Sequence, residues 1–289
     1  MSLERVINRS NQTNRPASRG FTMVDLLVSM AVMALLVSML LPSLGRAREA
    51  GYRTASASNI RQQAIGMQVY AYDRNGQMPT SIFRSKDNDG IDAPEQMVFL
   101  RVNVNDALVG TQRGAPKANA EFSWDGLGRL FQLEYLSKGE VFYNPSHDSI
   151  HTYDRYADRF NGAEGEIVSN YHYRWDAQMR SIDRIRPQTT LIADSMRSQP
   201  EYNHVNGNNM LKGDLSVSWF ADRDGLLYRS LATASPKVVD AAMSVLSTAS
   251  REGVLIGWDL LDKSNKDGTS VSATQVNDPL GAFFALDFK

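Results

Sequence analysis

The segment from Phe21 to Leu41, FTMVDLLVSMAVMALLVSMLL, constrains this chain more than any other, because its 21 residues carry a single charge, Asp25. At about 1.5 Å per residue a helix of this length is roughly 32 Å long, enough to cross the hydrocarbon core of a bilayer. The leader ahead of it, MSLERVINRSNQTNRPASRG, sets Arg5, Arg9, Arg15 and Arg19 against one acid, Glu4. The positive-inside rule then holds the leader in the cytoplasm and sends the rest of the chain outward. An ordinary secretory signal has a short apolar run followed by a small-residue cleavage site. Here the order is inverted: the run is long, and its small residue, Gly20, comes first.

The stretch Arg19-Gly20-Phe21-Thr22-Met23-Val24-Asp25-Leu26-Leu27 resembles the type IV prepilin signature, G-F-T-L-x-E-L-L, found at the head of type IV pilins and type II secretion pseudopilins. The resemblance implies that a membrane aspartyl peptidase, the prepilin peptidase, cuts between Gly20 and Phe21. The same enzyme is then expected to methylate the new amine of Phe21. Residues 1–20 would be a removed cytoplasmic leader and 21–44 a retained transmembrane helix. The acid in the fifth mature position is usually Glu and is here Asp25, to which the resemblance assigns a role in assembly. The implied partners are the prepilin peptidase, an inner-membrane assembly platform and other pilin or pseudopilin subunits. The implied location is the inner membrane, crossed once, with the C-terminal domain extracytoplasmic and part of an envelope filament after assembly.

Past the span, Pro42 removes a backbone donor and predicts a kink or brief break. Helical texture then resumes, with Ile60, Ala64, Met67 and Ala71 forming one apolar stripe and Asn75-Gly76 supplying a stop. Residues 45–76 are therefore read as the exported, amphipathic half of one long helix, roughly 80 Å in all, that packs on the protein's own sheet. Residues 77–289 form the exported globular part, and the fold class is α+β: a long N-terminal helix on an antiparallel β-sheet, pilin-like.

Several chemistries are disfavoured by composition. Lys+Arg 31 against Asp+Glu 32 gives a net charge of -1, so no basic field would hold a phosphate backbone and no nucleic acid partner is expected. The chain has no cysteine, which removes thiol catalysis, thiolate zinc sites and disulfides. Neither a G-x-S-x-G elbow, an H-E-x-x-H helix nor a G-x-x-x-x-G-K-[ST] loop occurs, so a structural protein is expected rather than an enzyme. The loop SKDNDGIDAPE brings Asp87, Asp89 and Asp92 together as oxygen donors for calcium, although it does not fit an EF-hand. No other cofactor is implied.

Further matches extend the resemblance. YLSKGEVFYNPSHD is similar to Y-L-x-x-x-x-V-F-x-C-P-S-x-x of a pseudopilin-like subgroup, with Asn144 in the place of cysteine. Ser169–Tyr173 and Thr190–Asp194 resemble two strands of that subgroup, the second ending in aspartate. His204, Gly207, Asn209 and Asp214 fall on its H-x-x-G-x-N-x-L-x-x-D-G-H-V motif, although the Asp-Gly order is lost and Ser216 replaces the second histidine. Read from the residues, His204 and Asp214 stabilise a hairpin, with the Asn-Gly-Asn-Asn cluster as its turn and Leu215, Val217 and Trp219 on the inner face of the following strand. Toward the C-terminus the spacing predicts a helix from about Pro236 to Ser250, a stop at Gly253, a strand at VLIGWDLL, a loop, and a closing segment, GAFFALDFK.

The expected function is that of a pseudopilin or pilin-like subunit of a type II secretion or type IV pilus-like filament, joined to its neighbours through N-terminal helices. The alternative is a membrane-anchored envelope enzyme or carbohydrate-binding module that uses the prepilin segment for sorting. A cluster of convergent acids and aromatics in a cleft would favour that alternative, as would turnover or glycan binding by the exported fragment.

Overall fold

The computed structural model describes residues 22–83, 97–104, 122–175, 180–204, 206–231, 233 and 247–264. Gly20, Phe21, the acidic loop with Asp87, Asp89 and Asp92, and the segment GAFFALDFK lie outside the described residues, as does most of the helix expected from Pro236. The chain divides into two compact units, Met1–Ala47 and Arg48–Lys289.

Helix α1 runs from Met23 to Asp73 and is continuous through Pro42, so the expected break is absent. Thr22 and Asp25 close its first turn reciprocally. The Asp25 carboxylate accepts from the Thr22 N–H at 3.0 Å, and the Thr22 hydroxyl oxygen accepts from the Asp25 N–H at 3.2 Å. Within the first unit the large apolar side chains of this helix, from Met23 to Leu44, are exposed. It is long and apolar enough to cross a membrane.

In the second unit α1 behaves as an ordinary amphipathic helix. Ile60, Ala64, Met67 and Ala71 are buried as their spacing predicts, joined by Tyr70 and by two polar side chains, Ser56 and Gln63. The helix stops where expected, since Asn75 and Gly76 both take positive φ (54° and 80°) and the Gly76 N–H reaches back to the Ala71 carbonyl at 2.7 Å. Asparagine and glycine are the residues that tolerate this left-handed turn at low cost.

Two antiparallel sheets accompany the helix. The first joins β1 (Phe99–Asn103), β2 (Phe122–Trp124) and β3 (Ile167–Val168) in the order β2-β1-β3. The second joins β4 (Tyr171–Tyr173), β5 (Thr190–Asp194), β6 (Gly207–Lys212) and β7 (Val217–Ala221) in sequential order. Short helices α2 (Gly128–Gln132), α3 (Tyr153–Phe160) and α4 (Leu226–Ser230) fill the connections, and α5 spans Ser247–Lys263. The larger core joins Ile60 and Met67 of α1 to Phe99, Leu100, Phe142, Tyr171, Tyr173, Trp175 and Leu191. The smaller one joins Met196, Met210, Phe220 and Leu227 to Val254, Trp258 and Leu261 of α5.

Three expectations about local structure are corrected. VLIGWDLL is not a strand but the middle of α5, because Val254, Trp258 and Leu261 fall on one helical face against Leu227 and Met196. Gly253 does not stop a helix; a Cβ there would meet the Ser230 carbonyl oxygen at 2.5 Å, so the glycine permits close packing. The Asn-Gly-Asn-Asn cluster is not a turn, since Gly207–Asn209 open β6 and pair with β7. The turn lies later, at Lys212–Ser216, where Leu215 takes φ 62°, outside the strand assigned to it.

Asp125 supplies a pH-dependent element of this fold. Its carboxylate is buried and accepts from the Ser81 hydroxyl at 2.7 Å and the Ile82 N–H at 2.8 Å. Burial pushes its pKa up to about 6, against those bonds, which pull it down. The folded pKa therefore lies above the unfolded value of 3.8, and the folded state holds the proton more tightly between them. The contribution of Asp125 to stability is greatest below the unfolded pKa and is lost between that value and about pH 6, on the order of 3 kcal/mol. Asp125→Asn, which keeps the shape, is expected to flatten this decline in urea denaturation series run from pH 4 to pH 7, whereas an unchanged slope would locate the titration elsewhere.

Candidate functional site

The N-terminal end of α1 is the first candidate. Asp25 lies in the first helical turn, where a negative charge is favoured by the unpaired N–H groups and the helix dipole. Thr22 engages one carboxylate oxygen of Asp25 twice, from its N–H and from its hydroxyl at 2.8 Å. Both side chains are exposed in this chain by itself. The described helix thus begins two residues after Phe21, on the mature side of the peptide bond that the prepilin resemblance assigns to the peptidase.

A second candidate is a buried polar cluster in the globular unit, built around Asp194 at the end of β5. The Asp194 carboxylate accepts from the Ser56 hydroxyl (2.7 Å) and the Asn144 amide (2.7 Å) on one oxygen, and from the Asn209 N–H (2.6 Å) on the other. Tyr171 lies 3.2 Å from the Ser56 hydroxyl. His204, also buried, faces the cluster with Nε2, 3.2 Å from the Asn144 amide and 3.6 Å from Asp194. Its Nδ1 lies 2.7 Å from Glu49 of α1, and its ring meets the Trp219 ring edge to face. Burial raises the Asp194 pKa, while His204 and the surrounding donors oppose that rise.

The residues singled out from the sequence thus divide. His204 and Asn209 converge on Asp194, and Asn209 also donates to the Arg53 carbonyl at 3.2 Å. Gly207 opens the same strand, where a Cβ would meet the Phe220 carbonyl oxygen at 2.1 Å. Asp214 is elsewhere, in the exposed turn, accepting from the Ser216 N–H and hydroxyl. His204 is accordingly no turn or sheet-edge residue but a buried link between α1 and the end of β5. Neither Ser56 as a donor to Asp194 nor Glu49 as the partner of His204 was anticipated. The usable signal was Asp194 itself: a carboxylate closing the apolar run TLIA must be met by donors from other elements.

Asn144 occupies the place that resemblance gives to a cysteine, and its amide reaches Asp194, Ser56 and His204. Among the described residues, no group of three or more His, Asp or Glu side chains is arranged to hold a metal ion. No protein-family model, curated protein or solved structure matches the chain.

Proposed function

We propose that the chain is a pilin-like structural subunit, a pseudopilin or related filament component. In this reading it is anchored once in the inner membrane with its globular part extracytoplasmic, and it assembles with like subunits through α1. What supports the reading most is the junction at residues 19–27: a signature-like segment leads straight into an apolar helical span whose large side chains are exposed and whose sole acid lies in the first turn. An apolar surface of that extent requires lipid or other helices around it. The exposed acid of Asp25 then meets the positive amine that cleavage creates on Phe21 of a neighbouring subunit, setting the stagger between subunits.

Processing tests the reading. A peptidase that draws backbone into its site is helped by a residue without Cβ, so Gly20→Leu should retain the leader. In cells that carry a prepilin peptidase, intact-mass measurement of the native protein should give a chain that begins at Phe21 with one added methyl group. A native protein that begins at Met1, or inside the apolar run, would overturn it.

A further inference from the structure

A cleft of about 480 Å³ opens in the globular unit between α1 and the segment from Lys138 to His147, closed at one end by Thr152 and Tyr153 of α3. Two carboxamides of α1 tie that helix to the 138–147 segment: Asn59, which lines the cleft, donates to the Tyr143 carbonyl at 2.9 Å, and Gln63 donates to the Val141 carbonyl at 2.8 Å. Tyr153 is a half-buried aromatic wall, held by the rings of Tyr143 (5.6 Å between centroids) and Phe160 (6.0 Å).

Two of the residues that line the cleft hold side-chain atoms without a hydrogen-bond partner. Tyr143, 6% exposed, has a buried hydroxyl with no partner, and the buried Nε2 of His147 also lacks one. His147 Nδ1 sits 2.6 Å from the Asn203 side-chain oxygen, and burial lowers its pKa, so the neutral ring presents Nε2 as an acceptor. Thr152 stands at the N-cap of α3 in extended conformation, yet its hydroxyl makes no capping bond. Gln62 adds an exposed carboxamide, and the charges of Lys138 and Glu140 at the rim oppose each other.

We propose that this cleft binds a neutral saccharide. A sugar hydroxyl both donates and accepts, which matches a hydroxyl, a neutral imidazole and carboxamides better than an ion would. The apolar face of a pyranose ring fits the flat side of Tyr153. The volume suits a mono- or disaccharide. This assignment rests on the globular unit alone and stands whether or not the chain enters a filament.

The test uses the full chain in phospholipid nanodiscs, free of glycoside detergents, titrated with cellobiose, maltose and N,N′-diacetylchitobiose and read by calorimetry and saturation-transfer NMR. At least one disaccharide should bind saturably. Tyr153→Ala and Gln62→Ala should each weaken it about tenfold or more, and Tyr153→Phe should retain most of it. Tyr72→Ala, at an exposed position on α1 outside the cleft, should leave it unchanged. Thermal melts identical to wild type confirm that the variants are folded, and Gln62, being exposed, provides a variant that does not disturb the core. No binding by any of the three sugars, or binding unaffected by Tyr153→Ala and Gln62→Ala, would overturn the proposal.

Discussion

Asp194→Ala is expected to cost the globular unit about 3 to 5 kcal/mol of stability, the range found when one partner of a buried charged group is removed. The loss has a specific origin. Truncation strips the acceptor from the Ser56 hydroxyl, the Asn144 amide and the Asn209 N–H at once, and leaves all three in an interior that water does not reach. Because Ser56 belongs to α1, Asn144 to the 138–147 segment and Asn209 to β6, the cluster ties three elements to the end of β5. Asp194→Asn keeps one carbonyl oxygen and should lose less. Its effect should also shrink at neutral pH relative to wild type, since burial raises the Asp194 pKa and so makes the ionised native carboxylate costly as pH rises. Urea denaturation monitored by tryptophan fluorescence measures both, and a loss below about 1 kcal/mol for Asp194→Ala would show that the cluster is incidental.

Asp25→Ala should leave membrane insertion and leader removal intact while reducing incorporation into a filament about tenfold or more. An acid within a span costs about 2.5 to 3.5 kcal/mol at the bilayer centre on insertion scales, less near its edge, so its removal does not hinder insertion. Within its own helix Asp25 serves as a cap, and losing the Thr22 bonds should cost only about 1 kcal/mol of helix-end stability. That local cost corresponds to about fivefold at most in an equilibrium, and it falls on the helix end rather than on a contact between subunits, so the Asp25→Glu variant, which keeps the charge, separates the two. The carboxylate has lone pairs beyond those that Thr22 engages, so capping and pairing with a neighbour's amine are compatible. Asp25→Glu retains the charge and should be nearly silent. A processed Asp25→Ala protein that cross-links between subunits at the wild-type level would remove Asp25 from the proposed assembly.

How much could be read from the residues varied with how each element meets its surroundings. The stripe on α1 was legible because one face is buried and the period shows it, and the strand Thr190–Asp194 was legible through its resemblance to a strand of the pseudopilin-like subgroup. The end of α1 at Asn75-Gly76 was legible because only a few residues accept positive φ at a helix terminus. VLIGWDLL was not, since a short continuous apolar run fits a buried strand and a buried helix equally well. The hairpin shifted because Asn and Gly mark turns in general. Here, instead, Asn208 and Asn209 spend their side chains and backbone on Asp194, and Gly207 allows β7 to approach. The polar cluster escaped because it assembles from residues more than a hundred positions apart, Ser56 with Asp194 and Glu49 with His204. Such pairing has no local period. Pro42 was read as a kink or brief break, and the helix passes through it without a break.

The central proposal is that this chain works by packing its N-terminal helix against those of other subunits, and the most direct measurement is recovery of the protein in sheared envelope filaments. Cells that carry a prepilin peptidase and an assembly platform would be sheared, and the filaments pelleted and analysed by mass. The account predicts the mature chain, starting at Phe21, in the pelleted fraction and its loss from that fraction in Asp25→Ala. Recovery of the protein solely as a membrane-bound monomer, with the pelleted fraction empty of it under every assembly-competent condition, would contradict the account.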